Sequence, residues 1–120
     1  EIIKDDYYSH SNSSNNSRVT ILHAGWYKVS YNIAIDNQSS SSRKTTRCFA
    51  RLSGSTEIMN SVSYSYTRNS TDTRTSVTAT FFTYFNLNEY IEIMGERDGS
   101  SGDADTIEDE CWMLMEFIKE

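Results

Sequence analysis

The sequence predicts an all-β domain, a two-sheet antiparallel sandwich or jelly roll, and three observations carry that expectation. Apolar residues recur at every second position in several stretches, the period of a strand with one buried face. No stretch shows the period of a long amphipathic helix. Polar segments rich in Ser, Asn, Asp and Gly separate the alternating runs, giving about eight short strands spaced roughly 8–15 residues apart. The chain has 120 residues, enough for one domain that buries roughly two-thirds of its unfolded surface in a single core.

Residues 1–17 read as a polar N-terminal arm or a weak strand around Ile2 to Tyr8, and residues 18–120 as the sandwich domain. "RVTILH" (18–23) is a short strand ended by the turn signal Ala24-Gly25. "WYKVSYNIAI" (26–35) alternates cleanly, with Tyr27, Val29, Tyr31, Ile33 and Ile35 on one face and Lys28, Ser30 and Asn32 on the other. "DNQSSSSRK" (36–44) has the composition of an exposed loop. "TTRCFARL" (45–52) is the next strand, turning at Ser53-Gly54, and "IMNSVSYSYT" (58–67) alternates weakly. After the polar "RNSTDTR" (68–74), "SVTATFFTYF" (76–85) sets Val77, Ala79, Phe81 and Phe85 on one face. A turn at "NLNE" leads into "YIEIMGE" (90–96). The acidic loop 97–110 has room for one short strand near Thr106-Ile107, and a closing strand fills 111–118.

That closing strand, "CWMLMEFI", is apolar on both sides: Trp112, Leu114 and Ile118 face one way, and Cys111, Met113, Met115 and Phe117 the other. A strand on the surface of a small domain is oily on one side only. The second face therefore calls for a cover, either a partner or the chain's own loops. Glu116 shares the Trp112 side and needs a wet rim or a polar partner there.

Composition excludes several functions. The net charge is −6, whereas a nucleic-acid backbone calls for a basic face. No apolar run reaches the roughly 18 residues of a spanning helix and no basic-then-apolar leader is present, so membrane insertion is not expected. The first residue is Glu1, read as the start of a piece of something longer. Cys48 and Cys111 lie far apart in no CxxC arrangement, and His10 and His23 are isolated. These read as two buried free thiols, with a disulfide as the alternative, and not as a zinc site. Four N-x-[ST] sequons, at Asn12, Asn15, Asn37 and Asn69, are glycan sites only if a eukaryotic secretory pathway made the protein.

Catalysis has little to stand on. There is no G-x-S-x-G, HExxH or phosphate-cradling glycine loop, and neither histidine sits beside a candidate nucleophile. Carboxylates are plentiful, but a glycosidase pair is defined by a distance that sequence does not supply. The chain is therefore expected not to be an enzyme. No cofactor is expected, with calcium as the exception to weigh. In the run Asp98, Asp103, Asp105, Glu108, Asp109, Glu110, Asp103 and Asp105 are the candidate calcium ligands. A solvated acidic loop is the plainer reading. Asn37, Tyr64, Tyr66, Arg68 and Arg74 are candidate ligand-binding residues, because they lie in or beside loops carried by a rigid scaffold.

Three stretches together resemble the C1q/tumour-necrosis-factor superfamily, across roughly residues 18–118. "AGWYKVSYNI" is similar to its G-x-Y-x-F-S-Y-x-V strand, with Gly25, Tyr27, Val29, Ser30, Tyr31 and Ile33 in register. "FNLNEYIEI" is similar to its L-x-x-G-D-x-V-x-L turn and strand, with Phe85, Ile91 and Ile93 at the apolar positions. "CWMLMEFI" takes the place of the aromatic-rich last strand. Asn88-Glu89 stands where the family has Gly-Asp, and Asn tolerates the positive φ such a turn needs. The family's first strand is not recognisable: it lies upstream, is replaced by residues 2–8, or comes from a neighbour. The Ser/Asn-rich loops and the chain's ending look closest to the C1q-like domains of viruses and phages.

The resemblance implies a jelly roll that works as a compact homotrimer, its last strand lying between the core and the subunit interface. Tyr27, Val29, Tyr31, Phe81, Phe85, Ile91, Ile93, Trp112, Met113, Leu114, Met115 and Phe117 are then the core and trimer-interface set. The implied function is a virion or phage structural module, a fibre tip or capsid decoration. It would sit among other virion proteins, at the virion surface or outside the cell, and bind a host-surface glycan or protein through its loops. The alternative is a secreted cellular ligand of the same family, or an adhesive or filament subunit.

Overall fold

The computed structural model describes residues 6–11, 13–36, 44–67, 74–98, 105–107 and 109–120. Its strands are β1 (Tyr8–His10), β2 (Val19–Ile21), β3 (Gly25–Asp36), β4 (Lys44–Leu52), β5 (Thr56–Glu57), β6 (Ser63–Thr67), β7 (Arg74–Phe85), β8 (Tyr90–Arg97), β9 (Asp105–Thr106) and β10 (Trp112–Lys119). One 3₁₀ turn, Met59–Ser61, lies between β5 and β6, and no α-helix occurs among the described residues.

These strands form two antiparallel sheets packed as a β-sandwich. The larger runs β1-β2-β8-β4-β5, with β6 also on β4; the smaller runs β10-β3-β7, with β9 on the end of β3. The longest pairing joins β3 to β7 along their whole length, from Gly25↔Phe85 to Asp36↔Arg74. Period-two alternation explains this: in β7, Val77, Phe81 and Phe85 are buried while Thr78, Thr80, Phe82 and Tyr84 are exposed. Between the sheets sit Ile21, Tyr27, Val29, Tyr31, Cys48, Ala50, Val77, Phe85 and Ile91, with Phe81 and Met115 alongside. At about 1.5–3 kcal/mol for each large apolar side chain removed from water, this layer is the main stabilising term.

The two core tyrosines bring hydroxyls into that layer, and each finds an acceptor. Tyr27 donates to the carbonyl of His23 at 2.7 Å, and Tyr31 to the carbonyl of Ser61 at 2.6 Å. Ser61 is itself buried; its Oγ accepts from the Ala50 amide at 2.7 Å and donates to the Ile58 carbonyl. The 3₁₀ turn is thereby fastened to both sheets.

Several expectations change. Residues 58–67 are not one strand: the 3₁₀ turn takes the first part and β6 begins at Ser63. The turn lets two short strands share one edge of β4, β6 along Lys44–Cys48 and β5 along Arg51–Leu52. The N-terminal strand is β1, on β2, with Tyr8 opposite Ile21. The earlier part of the expected strand, residues 2–5, lies outside the described residues. Of the two thiols expected to be buried, only Cys48 is; Cys111 is exposed, just before β10, and both are free. Tyr64 and Tyr66 stand within β6, on its exposed side.

Candidate functional site: the open face of the smaller sheet

Each sheet has one face on the core, so its other face meets whatever surrounds the chain. For β10 the inward residues are Met113, Met115 and Phe117: Met115 is buried, and the other two are partly buried against the core. Trp112, Leu114 and Ile118 face outward, and Leu114 is 61% exposed. Met113 and Met115 were grouped with Trp112 as candidates for the interface; they point into the chain's own interior, and the outer strip consists of the other parity.

Strand register extends the strip across the sheet in rows. Glu116 lies opposite Lys28, which lies opposite Phe82. Lys119 is paired with Trp26, which lies opposite Tyr84, and the Trp26 and Tyr84 rings meet edge-on at 5.8 Å. Further along, Leu114 lies opposite Ser30 and Trp112 opposite Asn32. Ser30 and Thr80 hydroxyls lie 2.9 Å apart, and Thr78 donates to Asn32 Oδ1 at 2.8 Å. The face is a polar, internally hydrogen-bonded centre bordered by Trp112 and Leu114 on one side. Trp26, Phe82 and Tyr84 close the other side and one end. Glu116 is exposed and in register with Lys28 on the next strand, so its place on an oily side demands no buried partner.

Trp26, Phe82, Tyr84 and Ile118 complete this face but were not among the expected site residues. The signal that singled out residues 111–118, apolar residues of both parities in one strand, is also present in "TFFTYF". Followed through, it finds Phe82 and Tyr84.

The remaining core and interface candidates divide clearly. Tyr27, Val29, Tyr31, Phe81, Phe85 and Ile91 are buried, and Ile93 is partly buried. Of the candidate ligand-binding residues, Asn37 and Arg68 lie outside the described residues. Tyr64 and Tyr66 are exposed on the outer face of the larger sheet. Beside them, Arg47 is held between Glu57 and Glu96 and lies 4.7 Å over the Phe49 ring, so its charge is already matched. Arg74 pairs with Asp36 at 3.3 Å.

For calcium, Asp103 lies outside the described residues, and of Asp105 only the backbone, in β9, is described. Among the described residues no group of three His, Cys, Asp or Glu is placed to hold a metal ion. Burial pushes the Cys48 thiol up to about 11, far from the range of a thiolate nucleophile. Glu92 is held below the usual carboxylate range, first by the Ser17 hydroxyl at 2.8 Å and then by Arg51 at 3.1 Å. Compared with known families and with curated proteins, the chain matches no family model and no curated protein.

Proposed function

We propose that this chain is a non-enzymatic structural and attachment module of a virus or phage particle. In this reading it is a C1q-like jelly-roll knob that closes into a homotrimer and grips a host-surface glycan or protein through its loops. The observation that carries the reading is the open face: Trp112 and Leu114 across from Trp26, Phe82 and Tyr84, all exposed in the single chain. An apolar surface of this kind on a small domain marks an interaction site, and a closed ring of identical subunits is the simplest way to cover one face three times.

Two further features favour the reading. The chain crosses between the sheets at β2–β3, β3–β4, β6–β7, β7–β8 and β8–β9, as a jelly roll requires. The strand ends that flank residues 37–43, 68–73 and 98–104 also lie at one pole, since Asp36 lies opposite Arg74 and Asp105, Lys44 opposite Thr67, and Thr46 opposite Arg97. A trimer would present three such loop sets together, and avidity would multiply weak contacts.

The test is stoichiometry. Native mass spectrometry and light scattering at micromolar concentration are expected to give a mass of three chains. Leu114→Glu, at a side chain exposed in the single chain, is expected to give a folded monomer with an unchanged far-ultraviolet dichroism spectrum. A wild-type monomer overturns the reading.

A further inference from the structure

We propose that the outer face of the larger sheet, around Tyr64, Tyr66 and Arg47, binds a neutral pyranose unit of an oligosaccharide, stacked on the tyrosines.

Strand parity places the rings. In β6, Ser65 and Thr67 are buried, so Tyr64 and Tyr66 share the outward side, about 6–7 Å apart along the strand. They are 57% and 52% exposed in the folded chain. Trp26, Phe82 and Trp112 belong to the other sheet, so an oligomer closed over those residues leaves the tyrosines uncovered. Register supplies the neighbours. Tyr64 lies opposite Arg47 and Tyr66 opposite Thr45, and Arg47 lies opposite Glu96 on the next strand. The short Thr45 side chain leaves room beside the Tyr66 ring.

Charge decides the class of ligand. Arg47 donates to Glu96 Oε1 at 3.0 Å and to Glu57. Glu57 first, then Tyr64 and Glu96, hold its guanidinium in the charged form. Arg51, on the same strand, pairs with Glu92 at 3.1 Å. A sulfated or sialylated ligand would have to displace a carboxylate from one of these arginines. A cationic ligand would have to draw a carboxylate away. A neutral ligand disturbs neither pair.

Paired ions still offer hydrogen bonds, and Glu96 is itself exposed. A pyranose meets both demands of the face. Its C–H side is apolar and lies against the flat, electron-rich face of a tyrosine ring. Its hydroxyls donate as well as accept, which suits a fixed carboxylate–guanidinium pair. Arg47 also lies 4.7 Å over the Phe49 ring, so little ordering is needed on binding. A protein partner would call for an interface centre poor in charge, whereas the centre here is an ion cluster. The inference extends the attachment reading from the loops to a sheet face. It is independent of trimer closure, since each chain carries the whole site.

The probes are lactose, N-acetyllactosamine, cellobiose, maltose and mannobiose, with sialyllactose as the anionic comparison, in saturation-transfer difference NMR. At least one neutral sugar is expected to bind with Kd of about 1 mM. It should take up saturation at its ring C–H protons and shift backbone amides within 45–49, 63–67 and 94–96. Tyr66→Ala, at an exposed side chain, is expected to stay folded and weaken binding at least about tenfold. Tyr66→Trp is expected to retain it. The proposal is overturned if none of the neutral sugars takes up saturation, or if sialyllactose binds tighter than lactose. It is also overturned if Tyr66→Ala binds as the wild type does. These readouts do not depend on stoichiometry, so a failed trimer and a failed sugar site are told apart.

Discussion

At Gly25 the backbone has φ of 157°, and a Cβ added there would stand 2.6 Å from the Lys119 carbonyl oxygen and 2.6 Å from the Phe117 ring. The start of β3 and the end of β10 approach too closely for any side chain between them. Gly25→Ala is expected to destabilise the fold by about 2–3 kcal/mol, combining overpacking with an unfavourable φ. The measurement is a lowered urea midpoint at unchanged m. Asn88 is the milder case, at φ of 67° in the β7–β8 turn. Asn88→Ala is expected to cost about 1 kcal/mol on the same assay. Both were legible as turn residues, but the reason differs. Asn88 answers a local backbone demand, whereas the contact at Gly25 comes from a strand some 90 residues later and leaves no mark in its own neighbourhood.

Among the elements, the 3₁₀ turn shows how a short segment holds two sheets. Ser61 serves the Ala50 amide and the Ile58 carbonyl with its hydroxyl, and its own carbonyl accepts from Tyr31. Ser61→Ala leaves the buried Ala50 amide without its acceptor, an expected loss of about 1–3 kcal/mol, read as a lower unfolding midpoint. Tyr31→Phe is expected to cost less, since a carbonyl tolerates a missing donor better than a buried amide tolerates a missing acceptor. The strands β3, β4, β7, β8 and β10 were readable within a residue or two, β3 and β7 from alternation and β10 from an apolar run bounded by the acidic loop. The 3₁₀ turn and β5 were not, because their positions are set by how much of the β4 edge β6 leaves uncovered. The outward set of β10 was readable as apolar. That it joins Trp26, Phe82 and Tyr84 in one face follows from register across three strands.

The whole molecule's response to pH follows from its buried groups. Cys48 is pushed from its usual 9.0 up to about 11 by burial. Above pH 9 the unfolded chain therefore releases a proton that the folded chain keeps, and stability is expected to fall between pH 9 and 11. Burial likewise raises Tyr27 and Tyr31, so the decline continues above pH 10. On the acid side, Glu92 is held low first by Ser17 and then by Arg51. Its contribution is present above pH 4.5 and is lost as pH falls through the folded value. Urea midpoints across pH are expected to show both limbs, with Cys48→Ala flattening the drop between 9 and 11. Equal midpoints at pH 8 and pH 11 would contradict this assignment.

Alternation is a property of the chain read two residues at a time, so the all-β class, the inward residues of the long strands and the apolar second side of the last strand were set by the sequence alone. Adjacency is not such a property. Which strands border one another, and which side chains share the outer face of the smaller sheet, depend on pairings between residues far apart in the chain. Those pairings are chosen by burial of the common core, and only the tertiary structure decides them.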